Sequence, residues 1–215
     1  MIKIENLTKT YGKNVIFKNV NLTLEDNKIY FILGKNGSGK TTFIKCLLNL
    51  EKYQGSIDYS QSLPPNIFAI YDDIPLYENL NGYDNIRLFT NSSIYNKKKV
   101  DKLEGLSPSL LSKKVKYYSL GEKKKILIMS ALLTRPRYMI LDEIANGLDV
   151  DSLKWLAKQL NDCQKDCLIL VTGHYLEFYE KLLDEIIIIH KQSIYKTEQG
   201  GNHLYELYEK FYGTN

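Results

Sequence analysis

Eight consecutive residues have the types and the spacing of a loop that binds phosphate. Residues 34–41 read Gly-Lys-Asn-Gly-Ser-Gly-Lys-Thr and match the pattern G-x-x-x-x-G-K-[ST] at every position. Glycines let the main chain bend so that successive amides point inward, and these amides bind phosphate oxygens together with the positive end of the following helix. In this pattern Lys40 reaches the β- and γ-phosphates and the Thr41 hydroxyl ligates Mg²⁺. The predicted nucleotide contacts are Asn36, Gly37, Ser38, Gly39, Lys40, Thr41 and Thr42.

Two carboxylates follow a second apolar stretch. Met139, Ile140 and Leu141 lead directly into Asp142 and Glu143. Ligands of parallel sheets bind beyond the carboxyl ends of the strands, so these acids are candidates for the same site. Asp142 is predicted to hold Mg²⁺ through a water, and Glu143 to accept a proton from the water that attacks the γ-phosphate. The alternative is that one or both acids cap a helix.

Short apolar stretches alternate with helical patterns along most of the chain, which is typical of a parallel sheet flanked by helices. The predicted strands are Lys28–Leu33, Tyr138–Leu141, Leu168–Val171 and Ile186–Ile189. The predicted helices cover residues 40–50, 150–164 and 175–183. The phosphate loop therefore follows a buried strand and opens a helix, as its binding mechanism requires.

Three regions depart from this alternation. Near the N-terminus apolar and polar residues alternate at 2–7 and 20–24, which predicts antiparallel strands. Residues 81–116 are polar and mostly helical in pattern, which suggests an inserted helical subdomain. From His203 onward the pattern predicts a helix whose apolar face docks on the body of the protein, with binding of a partner as the alternative.

Composition excludes several classes of protein. The 215 residues carry a net charge of +4 and contain no apolar run of about 18 residues, so no membrane span is predicted. Glu5 places a carboxylate where a signal peptide would be uniformly apolar, so no secretion signal is predicted either. Three cysteines cannot all pair with one another, which favours free thiols in a reducing cytoplasm. The basic residues are almost all lysine, whereas nucleic-acid readers usually rely on arginine, so dedicated nucleic-acid binding is not expected.

Four further motifs make the prediction specific. Residues 118–125, Tyr-Ser-Leu-Gly-Glu-Lys-Lys-Lys, resemble the signature loop of ABC-type ATPases in the Tyr-Ser-x-Gly form common in bacterial export systems. Residues 146–149, Asn-Gly-Leu-Asp, resemble that family's D-loop, and His174 after a strand resembles its switch histidine. Tyr11 resembles the aromatic residue that stacks on adenine. These motifs occur in the family's order and cover nearly the whole chain.

The resemblance implies a head-to-tail dimer of two such domains, identical or different. Each ATP then lies between the phosphate loop of one protomer and Ser119 and Gly121 of the other. His174 is implied to contact the γ-phosphate, and Asp149 to communicate across the dimer. Ser119 could alternatively serve only as the N-cap of its helix, a role compatible with binding.

Four positions depart from the family pattern, namely Asp72, Leu120, Glu122 and Ile144, and two of them add a carboxylate near the site. The family has a glutamine between a strand and the helical subdomain, and by alignment Asp72 takes its place, with Asp73 as the alternative. A carboxylate there is a hard oxygen donor that can still reach Mg²⁺, or it can repel the γ-phosphate and weaken ATP binding. We expect Asp72 on the metal side of the site with Thr41 and Asp142. Glu122 adds a carboxylate to the signature loop and is expected to reduce affinity for phosphate.

The implied fold is an α/β P-loop NTPase of ABC type. A single domain over residues 1–215 is expected to contain a mixed sheet core flanked by helices, an N-terminal antiparallel β subdomain, and a short helical subdomain at about 81–118. The implied function is ATP hydrolysis that powers transport by a separate transmembrane subunit, with the chain peripheral on the cytoplasmic face of the membrane. The alternatives are a soluble ABC-type ATPase acting on nucleic acid or ribosomes, and a regulatory subunit that does not hydrolyse ATP.

Overall fold

The computed structural model describes residues 1–60, 66–71, 74–90, 93–197 and 203–213. The N-terminal part forms a three-stranded sheet of β1 (Ile2–Tyr11), β2 (Asn14–Leu24) and β4 (Gln54–Tyr59), in the order β2-β1-β4. All of its pairs are antiparallel, and the alternating apolar residues of β1 and β2 face the core. The prediction of antiparallel strands near the N-terminus is therefore confirmed.

A six-stranded sheet forms the centre of the protein, in the order β5-β6-β7-β3-β8-β9. Its strands are β3 (Ile29–Leu33), β5 (Ile67–Ile70), β6 (Tyr138–Leu141), β7 (Leu168–Val171), β8 (Glu185–His190) and β9 (Ser193–Thr197). Five of these strands run parallel, and β9 joins β8 in the antiparallel sense, which makes the sheet mixed. Every residue of β3, β6 and β7 is buried, because helices or the second sheet cover both faces.

The core has a layer on each face of this sheet. Successive side chains of a strand point to opposite faces, so Ile29, Phe31 and Leu33 join one apolar cluster while Tyr30 and Ile32 join the other. The first cluster packs against α5 (Leu120–Thr134), α6 (Val150–Gln164), α7 (Leu176–Glu180) and α8 (Leu204–Tyr212). The second packs against α1 (Lys40–Leu47) and the antiparallel sheet.

Two predicted helices are shorter in the structure than the sequence pattern suggested. Helix α1 ends at Leu47 rather than at residue 50, because Asn49 adopts the left-handed conformation (φ 55°) that ends many helices. Helix α7 covers only residues 176–180 of the predicted 175–183, and turn hydrogen bonds from Leu182 and Leu183 to the Tyr179 carbonyl follow it. The helix predicted at residues 150–164 is confirmed with those bounds.

Short helices fill the segment between β5 and α5. They are α2 (Gly82–Phe89), α3 (Lys97–Val100), α4 (Pro108–Leu111) and a 3₁₀ turn at Val115–Tyr117. The α-helices begin where Asn81, Asn96 and Ser107 accept hydrogen bonds from main-chain amides, as N-caps do. A separate apolar cluster joins these helices to α5. The boundaries of a subdomain at 81–118 stay a prediction.

The C-terminal helix α8 docks on the central sheet. Leu204 and Tyr212 are buried, and the Tyr212 hydroxyl donates to the Ile189 carbonyl oxygen at 2.6 Å. The docking predicted from the apolar pattern after His203 is confirmed. None of the helices in the described part of the chain is both long and apolar enough to cross a bilayer.

Candidate functional site

The phosphate-loop pattern occupies the connection between β3 and α1. Gly37 and Gly39 have φ of 77° and 109°, a region that side chains rarely adopt. A Cβ on Gly39 would also lie 2.8 Å from Cζ of Phe17, so the backbone conformation and the packing both require glycine there. Gly39 caps α1 without offering a side-chain acceptor to its first turn. The first amides of α1 are therefore available to an anion.

Lys40 lies over the loop that precedes it. Its ammonium donates to the Gly34 carbonyl at 2.7 Å and lies 3.4 Å from the Lys35 carbonyl. Partial burial lowers the pKa of this ammonium, while the carboxylates of Glu143 and Asp142 act in the opposite direction. The Lys40 side chain therefore lies close both to the phosphate loop and to the carboxylates of Asp142 and Glu143.

A cavity of about 450 Å³ joins the loop to the acidic residues. It is lined by Ile16, Lys35, Asn36, Gly37, Gly39, Lys40, Thr41, Thr42, Asp142 and Glu143. Of the predicted loop contacts, only Ser38 is missing from this lining. Ser38 instead lines a neighbouring cavity of about 390 Å³, and its hydroxyl is buried without a hydrogen-bond partner among the described residues. The structure thus brings both halves of the predicted site to one space.

The strand β6 ends one residue before Asp142, which is 9% exposed. The Thr172 hydroxyl donates to Asp142 Oδ1 and accepts a hydrogen bond from the Glu143 amide at 3.1 Å. Neither acid caps a helix, because the next helix, α6, is capped by Asp149, whose carboxylate accepts from the Ser152 amide at 2.7 Å. The capping alternative for the two acids is therefore wrong, and both residues line the cavity.

Glu143 is held at four points. Its amide is bound by Thr172, and its carbonyl oxygen accepts from Lys124 Nζ at 3.0 Å. Its carboxylate accepts a hydrogen bond from Asn146 Nδ2, and the other carboxylate oxygen lies 3.3 Å from His174 Nε2. These contacts sustain a left-handed backbone (φ 56°) that costs about 1–3 kcal/mol in a residue other than glycine. Strained backbone conformations of this kind persist only where many surrounding contacts hold them, and they occur most often at functional sites.

His174 follows β7 and has a side chain that is 62% exposed. It is brought within reach of Glu143 although the two residues are far apart in the chain. His174 does not itself line the cavity of the phosphate loop, but its exposed ring contacts Glu143, which does.

The signature-like residues lie elsewhere on the same chain. Ser119 is the N-cap of α5: its hydroxyl oxygen accepts from the Glu122 amide at 3.2 Å, and Glu122 Oε2 accepts from the Ser119 amide at 2.7 Å. This reciprocal pair is a capping box. Ser119 and Gly121 do not line the cavity formed by this chain's own phosphate loop. Within one protomer the structure does not bring them to the nucleotide site.

Tyr11 ends β1 and is 45% exposed. Lys9 Nζ lies 4.2 Å from the centre of its ring, a cation–π contact. Lys9 is only 4% exposed, and its ammonium also donates to Glu51 Oε2 and to the Lys52 carbonyl, each at 2.9 Å. Tyr11 does not line the cavity of the phosphate loop. An adenine base that stacks on Tyr11 would therefore have to extend out of that cavity.

Asp72 and its alternative Asp73 lie outside the described residues. The metal-side role expected for Asp72 stays a prediction.

Three residues at the site escaped the sequence interpretation. Thr172 lies between β7 and His174, and the sequence assigns it no role. Lys124 lies in a run of three lysines at residues 123–125, and nothing in the run distinguishes it. Asn146 was placed in the D-loop without a contact of its own. Their roles follow from contacts between distant parts of the chain, which no local pattern reports.

Relatives of known description share almost the whole chain. It is 34% identical over 220 aligned residues to the lantibiotic transport ATP-binding protein SrtF of Streptococcus pyogenes, which covers 97% of this chain and 96% of that protein. It is 32% identical over 205 aligned residues to the bacitracin transport ATP-binding protein BcrA of Enterococcus faecalis, covering 89% of this chain and 67% of that one.

The fold has counterparts among solved structures. The structure of an ATP binding subunit of an ABC transporter superposes with a TM-score of 0.81 at 23% identity, covering 99% of this chain and 94% of that chain. This likeness establishes an ABC ATPase fold for the present chain. The family model described as ABC transporter matches residues 17–146, more than half of the sequence, and the chain therefore belongs to the ABC transporter family.

Proposed function

We propose that this chain binds and hydrolyses ATP to drive transport by a separate transmembrane subunit. The observation that carries the proposal is the shared cavity, in which loop amides, an ammonium and hydroxyls face the carboxylates of Asp142 and Glu143. A metal-bound triphosphate needs donors on the phosphate side and acidic groups beside the γ-phosphate. The two relatives named above are transport ATP-binding proteins, which favours transport over other uses of ATP.

The loop supplies binding energy. Amides of residues 36–42 and the start of α1 surround the phosphate oxygens, and Lys40 turns from the Gly34 carbonyl to the β- and γ-phosphates. Tyr11 stacks on adenine with the ring face that Lys9 does not occupy. The base and the phosphates are thus bound by different parts of the chain.

Mg²⁺ fits the oxygen donors of this cavity. Thr41 and Asp142 both line it, and Asp72 is proposed to lie on the same side. Among the described residues there is no group of three His, Cys, Asp or Glu side chains that could hold a metal without help. Phosphate oxygens and water would therefore supply the remaining ligands, as is usual for Mg²⁺ bound to a nucleotide. When bound, the ion neutralises charge on the β- and γ-phosphates.

Glu143 acts as the general base. Its carboxylate accepts the proton of the attacking water, and its orientation is maintained by Asn146 and by the main-chain contacts to Thr172 and Lys124. His174, 3.3 Å from the same carboxylate, contacts the γ-phosphate and helps to place the water. These residues position the reacting groups.

The active assembly is proposed to be a head-to-tail dimer, either of two copies or of this chain with a similar one. Ser119 and Gly121 stand at the start of α5, away from their own phosphate loop, so they can serve the partner's nucleotide. Among the described residues the Ser119 hydroxyl oxygen accepts from the Glu122 amide and donates to no partner, so its proton can be donated to a γ-phosphate oxygen. The positive end of the α5 dipole adds to this attraction, and Asp149 communicates across the interface.

The membrane partner is proposed to bind the segment that contains α2 to α4. Large apolar side chains are exposed on or beside it, namely Tyr77, Leu80, Leu88, Ile94 and Tyr117. A chain that binds such a partner lies in the cytoplasm against the inner face of the membrane. The direction of transport is proposed to be export, from the Tyr-Ser-x-Gly form of the signature.

The proposal is tested with a Glu143→Gln variant. It should bind ATP with Mg²⁺, fail to turn it over, and elute as a dimer from a sizing column, while the wild type hydrolyses ATP steadily. A monomer at saturating ATP and Mg²⁺ would contradict the dimer mechanism. Isolation of the wild type from membranes should recover a polytopic protein, whereas recovery of ribosomes or RNA would favour the soluble alternative.

A further inference from the structure

Lys124 connects helix α5, which begins at the signature-like residues Ser119 and Gly121, to the loop that contains Glu143. It belongs to α5 and is 4% exposed, and its ammonium donates to the Glu143 carbonyl at 3.0 Å and the Asn146 carbonyl at 2.7 Å. A buried lysine is uncommon because the ammonium must be desolvated. Here hydrogen bonds to two carbonyls at once offset that cost.

Both ends of this connection lie at functional positions. Lys124 is five residues after Ser119, about 7.5 Å along a helix that rises 1.5 Å per residue. The capping box at Ser119 and Glu122 fixes the first turn of α5, so that turn and Lys124 move together. At the other end, the two carbonyls belong to Glu143, the proposed base, and to Asn146, the first residue of the segment that resembles the D-loop.

We infer that Lys124 is a positioning residue that transmits occupancy of the signature loop to Glu143 of the same protomer. This inference rests on the proposed function, in which the partner's nucleotide contacts Ser119. When that nucleotide draws α5 toward it, the ammonium of Lys124 carries the Glu143 and Asn146 carbonyls with it. A protomer then orients its own Glu143 according to whether the opposite site is filled.

The neighbouring lysine provides a matched control. Lys123 lies on the same helix, but its ammonium pairs with Glu78 at 2.9 Å, and the Glu78 side chain is 62% exposed. Lys123→Met therefore removes a surface ion pair, which contributes little to stability. Lys124→Met removes the same charge from the same helix, together with both carbonyl contacts.

The first test measures hydrogen exchange in the Glu143→Gln background. In that variant, ATP with Mg²⁺ should slow amide exchange of residues 143–149 at least tenfold. Adding Lys124→Met should reduce this protection to less than threefold, while residues 34–42 stay protected. Adding Lys123→Met should leave both regions protected. Equal protection of residues 143–149 in the two lysine variants would overturn the inference.

The second test measures turnover in the otherwise native chain. Lys124→Met should lower kcat tenfold or more and reduce the Hill coefficient for ATP toward one, with ADP affinity within twofold of the wild type. Lys124→Arg should restore turnover in part, since guanidinium also donates to carbonyls. A fall in kcat without a fall in the Hill coefficient would overturn the transmission. If the methionine variant does not fold, Lys124→Gln is judged by the same criteria.

The proposed dimer mechanism and the role of Lys124 can fail separately. If Glu143→Gln alone does not dimerise with ATP, the dimer mechanism fails and the transmission fails with it. If it dimerises and the lysine variants behave alike, the proposed function survives and only the role of Lys124 is rejected.

Discussion

The hydroxyl of Thr172 bridges Asp142 and Glu143. It donates to Asp142 Oδ1 and accepts from the Glu143 amide at 3.1 Å, and the residue is 1% exposed. One buried side chain directly after β7 therefore holds both the Asp142 carboxylate proposed to bind Mg²⁺ and the left-handed main chain of Glu143, the proposed base. Its own carbonyl accepts from the buried Tyr179 hydroxyl at 3.0 Å, which ties the bridge to the core.

Replacing the Thr172 hydroxyl should impair turnover more than nucleotide binding. Thr172→Val keeps the shape but leaves the buried Glu143 amide without its acceptor, which costs about 1–3 kcal/mol. We expect a turnover 10- to 100-fold lower, with the loss of stability visible in urea unfolding. Thr172→Ser retains the hydroxyl and should stay within a few-fold of the wild type. A valine variant with native turnover would show that the bridge is dispensable.

Lys40→Ala should abolish nucleotide binding. Lys40 lines the cavity with Asp142 and Glu143, and its ammonium also contacts the Gly34 carbonyl. No other cationic side chain in the described part of the chain does both. Charge-assisted contacts to phosphate are about twice as strong as neutral ones, so their loss should be decisive. Binding of a fluorescent ATP analogue measures the effect, with Lys45→Ala on the same helix as control. Equal affinity of the two variants would place the phosphates elsewhere.

His174→Ala should lower turnover with a smaller effect on affinity. Its Nε2 lies 3.3 Å from Glu143 Oε1, and the side chain is largely exposed. We therefore expect the ring to help orient the reacting groups, whereas the phosphate loop provides most of the binding energy for ATP. Steady-state kinetics should give a reduced kcat and an ATP affinity within a few-fold of the wild type. A variant that loses affinity and keeps kcat would assign the ring to ground-state binding.

Tyr11→Ala should weaken binding of ATP but not of inorganic tripolyphosphate. Stacking of a base on an aromatic ring contributes about 1–3 kcal/mol, which is roughly 5- to 150-fold in affinity. Because tripolyphosphate has no base, it reports the phosphate loop alone. Calorimetric titration of both ligands into both proteins separates the terms. Equal losses for the two ligands would remove Tyr11 from the base site.

The native thiols should react slowly with alkylating reagents. Burial raises the pKa of Cys46 and of Cys163 to about 11 and that of Cys167 to about 12, because a thiolate is poorly solvated there. The reactive thiolate fraction is therefore very small at pH 8 and rises only at strongly alkaline pH. Alkylation followed by mass spectrometry should show little modification at pH 8 in the native protein and full modification in urea. Rapid labelling of the native protein would contradict this protection.

Local patterns in the sequence were enough to predict the central elements. Strands β6 and β7 have the predicted bounds, since a fully buried strand must be apolar at every position. The glycines of the phosphate loop are equally legible, because Gly37 and Gly39 adopt φ values that other residues avoid. Helix ends were predicted less accurately: α1 ends at Leu47, shortly before the left-handed Asn49, and the periodicity of apolar residues does not encode that turn.

Other features of the candidate site depend on residues that are distant in sequence. From the chain alone we predicted the residue types of the site, namely the phosphate loop, the acids after β6 and the histidine after β7. Only the folded chain places the Thr172 hydroxyl between the acids and the Lys124 ammonium on the Glu143 carbonyl, across 29 and 19 residues of sequence. The strand order 6-7-3 brings β7 between β6 and β3, so the ends of three separated strands meet at one edge. Hydrogen bonds to main-chain groups leave no pattern in the side-chain sequence, and this is why tertiary structure alone decided which lysine and which threonine hold the proposed base.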